Sequence, residues 1–226
     1  MIIDFHSHIL PEVDHGSDSL KTSLNQVSLA ARYGVNRIVA TSHFYPHSRS
    51  AADFVERRNR SYEKLIENLG HLNVSIALGA EVLICNSIDK LPYISDLCIR
   101  GTKTLLLELP FADFQVEYCK SIYNLVTRGF TVVMAHAERY DKSWIEETIE
   151  AGAKLQLNAG AFSLFKIKRY SLWLENGDVV AIGSDVHGAD GRAFRKFAMA
   201  AAKAEKSYVK ISEFSDSLWN NIQLFN

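Results

Sequence analysis

Met1-Ile2-Ile3-Asp4-Phe5-His6-Ser7-His8 opens the chain with an apolar, β-branched run that ends on two histidines. On an extended segment residues i and i+2 project to the same face, so His6 and His8 can grip one ion while Ser7 turns aside. The same placement recurs at Thr41-Ser42-His43, Gly79-Ala80-Glu81, Leu107-Glu108-Leu109, Ala135-His136 and Ser184-Asp185-Val186-His187. A chain that repeatedly ends a strand on an imidazole or a carboxylate is building a polynuclear metal site.

Working outward, the apolar runs predict seven strands, at 2–5, 37–40, 74–78, 104–107, 131–134, 154–157 and 179–182. Helical spacing lies between them. Leu20, Leu24, Val27 and Ala31 keep it before Gly34, and Phe54, Tyr62, Leu65, Ile66 and Leu69 keep it before Gly70. Ser143 with Glu146 fits a capping box for a helix that stops near Gly152. Further helices are expected over 192–204 and 215–224. Strands alternating with helices imply parallel strands joined by right-handed crossovers. No glycine-rich dinucleotide fingerprint follows the first strand, which argues against an open nucleotide-binding sheet. Ligand-type residues follow at least six different strands, and a barrel gathers such residues at its C-terminal face. The expectation is one α/β barrel domain, closed or partly open, spanning 1–226.

Composition limits the function classes. Apolar residues make up 47% of the 226, which suits a globular fold with a substantial core. The net charge of −1 leaves no broad footprint for nucleic acid or an anionic membrane. No stretch reads as a secretory signal or an uninterrupted membrane span, so no direct membrane insertion is expected. Cys85, Cys98 and Cys119 read as reduced thiols of a cytoplasmic protein. The residues six positions beyond them are Leu91, Thr104 and Leu125, so the arginine of a cysteine-phosphatase loop is missing.

Mixed imidazole and carboxylate donors suit divalent Mn, Fe or Zn. Gly16 predicts a turn that carries His15 back over the strand mouth; the alternative is that Asp14 and His15 form a polar loop. Glu81 and Glu108 end apolar strands, where a carboxylate is costly unless coordinated or paired with a cation. His136 is either a ligand or a core histidine satisfied by backbone. Arg139, three residues on, can present a guanidinium to phosphate bidentately. Arg192 is placed to do the same, with a helix-surface role as the alternative. His47 stays outside the metal set, and His71 reads as surface.

Taken with Gln156-Leu157-Asn158-Ala159-Gly160 and Ala135-His136-Ala137-Glu138-Arg139-Tyr140, these motifs run across nearly the whole chain. They closely resemble the polymerase-and-histidinol-phosphatase (PHP) superfamily, and within it the bacterial tyrosine-protein phosphatases of capsular and extracellular polysaccharide synthesis. The resemblance implies a distorted (β/α)7 TIM-like barrel and three divalent cations, typically manganese. It also implies a phosphotyrosine substrate on a tyrosine autokinase of polysaccharide export. Carried over by position, His6, His8, Glu81 and Asp185 hold one metal; Glu81, Glu108 and His136 a second; His15, His43 and His187 the third. Two departures stand out. Asp14-His15-Gly16 replaces the family's Asp-Asp-Gly, and Ser42-His43-Phe44 replaces its Pro-His-His.

The mechanism these residues imply is hydrolysis by a metal-bound hydroxide, because a coordinated water loses its proton near neutral pH. Arg139 would stabilise the phosphoryl oxygens, and His43 or His187 would act through water. Phe44, Tyr45, Phe111, Phe114 and Tyr140 lie close to ligand motifs and suggest an aromatic rim that selects tyrosyl substrates, with Phe44 in contact with substrate. The competing readings are another PHP-type phosphoesterase, acting on histidinol phosphate or a nucleic-acid phosphodiester, an amidohydrolase, and a metal-stabilised regulatory protein without turnover.

Overall fold

The computed structural model describes residues 2–111 and 114–222. Its strands are β1 Asp4–Ser7, β2 Arg37–Ala40, β3 His43–Phe44, β4 Ser75–Leu78, β5 Glu81–Leu83, β6 Thr104–Glu108, β7 Thr131–Met134, β8 Lys154–Asn158 and β9 Val179–Gly183. They pair in parallel in the order β3-β5-β6-β7-β8-β9-β1-β2-β4. That order forces curvature. β4 closes one end of it and β5 sits next to the other end, yet Leu78 and Glu81 are separated by only two residues. Three peptide units span about 11 Å at most. The sheet therefore curls into a half-barrel.

The apolar runs announce seven strands, and nine are present among the described residues. The extra two, β3 and β5, are two and three residues long and begin on His43 and Glu81. Neither carries an apolar run long enough to be read from sequence. β1 also starts two residues later than expected, at Asp4.

Helices fill the crossovers: α1 Leu20–Arg32, α2 Ala51–Ile66, α3 Glu117–Thr127, α4 Lys142–Glu150, α5 Ser171–Glu175, α6 Gly191–Ser207 and α7 Val209–Asn221. α3 is absent from the sequence expectation, although Tyr118, Ile122 and Leu125 give it a buried stripe at helical spacing. α4 begins from Asp141, so Ser143 lies inside the helix and the expected capping box is not its start. α7 opens six residues before the expected 215, and Leu224 falls outside the described residues. Among the described residues no helix is long and apolar enough to cross a membrane.

Strand alternation divides the core in two. Leu105 and Leu107 of β6 and Val132 and Met134 of β7 face one apolar cluster, shared with Val27 of α1, Leu65 of α2, Ile122 of α3, Ile145 of α4 and Phe197 of α6. Leu106 and Val133 face the opposite, inward side with Phe5, Val39 and Ala77, where Phe214 and Leu218 of α7 pack as a plug.

Phe44 corrects a sequence expectation. It is 1% exposed and packs on Phe54 of α2 with ring centroids 5.2 Å apart, so its ring is core and reaches only the wall of the pocket beside His43. Phe44→Ala is expected to destabilise the fold by about 3–5 kcal/mol. The refolded variant should keep the wild-type preference for phosphotyrosine over phosphoserine. Chemical denaturation with a two-substrate assay checks both; a stable variant with altered preference would return Phe44 to the rim.

Candidate metal centre

The expected ligands converge where the strands end. His6 sits on β1 and His8 just beyond it, and a bulge re-aims this strand. Asp4 pairs with Ile38 and Ser7 with Ala40, so three steps on β1 face two on β2. His6 Nε2 and His8 Nε2 nevertheless come within 3.1 Å of each other. Glu81 Oε2 lies 3.1 Å from His6 Nε2, 3.2 Å from His8 Nε2 and 2.9 Å from His43 Nδ1. Its other oxygen is 2.8 Å from His136 Nε2, which is 3.4 Å from Glu108 Oε1. Asp185 Oδ1 approaches His8 Nε2 at 3.4 Å and His187 Nδ1 at 3.6 Å. His15 is exposed, but the turn at Gly16 brings its ring over the mouth, with centroids 4.9 Å from His43 and 4.7 Å from His187.

The backbone is bent to make this possible. His136 and Asp185 take φ of +32° and +51°, a left-handed region that side chains other than glycine enter at a cost. At Gly16 a Cβ would lie 2.1 Å from His8 Cβ, and at Gly183 one would lie 2.5 Å from His6 Cβ. Any side chain at either position would push a ligand histidine aside.

Three residues that the ligand pattern did not announce hold the imidazoles. Gln156 Oε1 accepts from the His136 backbone N–H at 2.8 Å, which fixes which end of the amide is oxygen. The same oxygen is 3.0 Å from His6 Nδ1, so that nitrogen donates and His6 Nε2 turns its lone pair inward. Gln156 Nε2 donates to Asn158 Oδ1, and Asn158 Nδ2 donates to Asp185 Oδ2. Asp14 does for His8 what Gln156 does for His6. Its Oδ2 accepts from His8 Nδ1 and from the His43 backbone N–H, both at 2.9 Å, and its Oδ1 accepts from Gly16 N–H at 2.8 Å. Burial alone would raise the Asp14 carboxyl; the bond and charge of His8, with the two amides, hold it well below the usual range.

The electrostatics fit a cation. Burial opposes charge on His8, yet the facing carboxylates of Asp14, Asp185 and Glu81 push its pKa well above normal. His136 likewise stands at about 9, burial being outweighed by Glu108 and Glu81. His187 is driven down to about 4 by burial and then by His8, so it is a neutral donor at pH 7. Protons are thus drawn to a place crowded with carboxylates, which is where a divalent ion would neutralise the same charge. Glu81 Oε2 and His43 Nδ1 are buried without a hydrogen-bonded partner, as lone pairs aimed at a shared ion would be. Donor atoms of three residue sets lie within 4.8 Å of one another: His6, His8 and Glu81; His43, Glu81 and Glu108; His8, His43 and His187. The residues present fit divalent metals.

Around this cluster, Arg139 donates to Asp185 Oδ2 and is 41% exposed, so its guanidinium is reachable from solvent. Arg192 is not brought into the cluster. Its side chain is 87% exposed and its Nε binds Asp190 Oδ1, the residue that caps α6, so it takes the helix-surface alternative. Tyr45 stacks 5.4 Å from His43, and Tyr140 lies 5.6 Å from His136 with Phe111 beside it. Phe114 packs on Trp144 and Tyr118. Arg49, which no motif singled out, lines a pocket of about 260 Å³ with His15, His43 and Tyr45.

A curled parallel α/β sheet with imidazoles and carboxylates gathered beyond its strand ends defines a metal-site protein of the barrel class. Within that class the chain belongs to the CpsB/CapC family of capsular polysaccharide synthesis, whose pattern matches residues 2–221. It is 28% identical over 230 residues to the tyrosine-protein phosphatase YwqE of Bacillus subtilis (strain 168), covering 96% of this chain and 87% of that one. It is 28% identical over 212 residues to the tyrosine-protein phosphatase CpsB of Streptococcus pneumoniae, covering 84% and 85%. Its fold superposes at a TM-score of 0.78 and 25% identity, over 99% of this chain and 96% of the other, on a structure from work on YwqE and Streptococcus pneumoniae CpsB. Those two proteins are described there as unique metal-dependent tyrosine phosphatases.

Proposed function

We propose that this chain is a metal-dependent protein-tyrosine phosphatase acting on a tyrosine-phosphorylated protein of capsule synthesis, a tyrosine autokinase by resemblance. The observation that carries the reading is Glu81 Oε2, a buried carboxylate oxygen with three imidazole nitrogens within 3.2 Å and no hydrogen bond to any of them. His6, His8, Glu81 and Asp185 would hold one ion, Glu81, Glu108 and His136 a second, and His15, His43 and His187 a third, with manganese suited to the carboxylate-rich pair. When bound, these ions supply charge neutralisation and an activated water. The chain's own residues do the rest. Gln156 and Asp14 hold the outer ring nitrogens of His6 and His8, which would leave their inner nitrogens to an ion that displaces the proton. Arg139, braced by Asp185, meets the non-bridging phosphoryl oxygens, and Tyr45 and Tyr140 flank the phenyl ring. His43 or His187, through the ring nitrogen not given to an ion, would act on the leaving group by way of water.

A covalent phosphocysteine is disfavoured. Burial raises the Cys85 thiol, and it lifts Cys98 to about 12 and Cys119 to about 11, so no reactive thiolate is at hand. β3 continues β2, and β5 continues β4, with Gly79 N–H bonded to Ala40 O and Glu81 N–H to Ser42 O across the breaks. Reading each as one bent strand gives a seven-membered barrel of a single domain, and the three free cysteines suit a reducing, cytoplasmic setting.

The test is hydrolysis of a phosphotyrosine peptide by chelator-stripped protein, with and without manganese, beside His6→Ala. Turnover should return with the metal in wild type and stay absent in the variant, and phosphoserine peptide should be a poor substrate. No turnover with metal verified bound would sink the tyrosine assignment.

A further inference from the structure

A groove of about 460 Å³ lies outside the metal cluster, between the chain leaving β8 and helix α6. Its apolar lining includes Phe162, Leu164, Met199 and Ala200, and its polar rim carries Lys166, Lys196 and Lys203. Leu164 is 77% exposed and Met199 66%, which is unusual for large apolar side chains lining one groove. No acidic residue lines the groove. Lys203 Nζ donates to Phe162 O across the groove and Lys196 lies in the field of Asp190, but none of the three forms a close ion pair among the described residues, in a chain whose net charge is −1. An apolar trough rimmed only by cations is complementary to a segment that alternates hydrophobic and acidic side chains.

Its position says when such a segment would arrive. Ala159, at one end of the lining, directly follows Asn158, whose amide holds Asp185 Oδ2. α6 begins four residues after His187. The groove is therefore flanked by the segment leaving β8, whose last residue braces the candidate ligand Asp185, and by the helix that follows His187. Resting on the phosphatase reading above, we propose that it docks the acidic, hydrophobic stretch flanking the phosphotyrosine of the protein substrate. Selectivity beyond the phosphotyrosyl group itself would come from here, through KM, with the lysines steering the approach.

The double variant Lys166→Glu/Lys196→Glu tests this, since both side chains are exposed and neither belongs to the metal or phosphate machinery. Metal-loaded wild type and variant are compared on p-nitrophenyl phosphate, on a phosphotyrosine peptide flanked by Asp, Glu and Leu, and on the same peptide with Ser and Gly flanks. The expected result is a KM raised at least tenfold on the acidic peptide alone, with kcat unchanged and the other two substrates unaffected. Equal effects on all three substrates, or none on any, would overturn the docking role. Fluorescence anisotropy with the unphosphorylated acidic peptide reads the groove independently of turnover. Wild-type protein that binds this peptide, with binding lost in the variant, supports the docking surface even if p-nitrophenyl phosphate is not hydrolysed, an outcome that would fell only the phosphatase reading. Flotation with phosphatidylglycerol vesicles supplies the remaining arm. Vesicle binding that the variant loses, with peptide binding unchanged, would reassign the patch to a membrane surface.

Discussion

Glu81→Gln is expected to abolish metal-dependent turnover, by more than the roughly 100-fold typical of losing an outer partner of a metal ligand. Glu81 begins β5 and pairs in register with His43 of β3 on one side and Leu106 of β6 on the other. It is therefore fixed between two neighbouring strands. Both its oxygens are used: one faces His6, His8 and His43, the other His136. Burial works against its charge. The attraction of His6 first, then of the hydrogen-bonded His136 and the close His43, outweighs that and holds its pKa well below the usual range. Glutamine is nearly the same shape, so the fold should survive. It offers one oxygen where the site uses two, and no negative charge for a second ion to share. Metal content by mass spectrometry, read beside circular dichroism and phosphotyrosine turnover, decides the matter. A folded Glu81→Gln protein with full metal content and wild-type turnover would remove Glu81 from the centre.

The candidate ligands could be read before the fold because their signal is local. All but His15 sit where an apolar run stops, and residue type plus position are both visible in a few consecutive letters. Phe44 shows that rule applied incompletely. If i and i+2 share a face, then i and i+1 do not, so a strand that aims His43 at the metals must turn Phe44 away from them, into the contact it makes with Phe54. The bracing residues were a different case. Gln156 and Asn158 look like ordinary polar interruptions at the end of β8. Their partners are set by pairing with β9, Gln156 opposite Ala181 and Asn158 opposite Gly183, with a register shift just before. Asp14 beside His8 depends on a turn whose path is fixed by Gly16 passing against the His8 backbone. Long-range register and backbone contact leave no periodic trace, and the same holds for Arg49 and for the lysine-rimmed groove.

Asp14 is where this difference has its largest measurable consequence. Its carboxylate is acceptor to three N–H groups on three separate pieces of chain: the His8 ring, the His43 backbone and the Gly16 backbone. Asp14→Ala removes all three bonds at once. His8 Nδ1 then loses the partner that keeps its proton on the outer nitrogen, and the tautomer with Nε2 protonated faces the ions. Two amides lose their acceptor in partly buried surroundings, at about 1–3 kcal/mol each where water cannot replace it. The expected outcome is a metal affinity lower by roughly 10–100-fold and a matching loss of activity at limiting manganese. Saturating metal should recover part of the rate, because the ligand set itself is intact. Asp14→Asn should fall between wild type and alanine. Its oxygen can still serve His8 and His43, while its amide nitrogen meets the Gly16 N–H instead of accepting from it. Manganese titration followed by calorimetry, with turnover measured at each metal concentration, gives the ordering. Equal losses in the alanine and asparagine variants would point to the charge of Asp14 as what matters. Unchanged affinity in Asp14→Ala would leave it as no more than a loop residue.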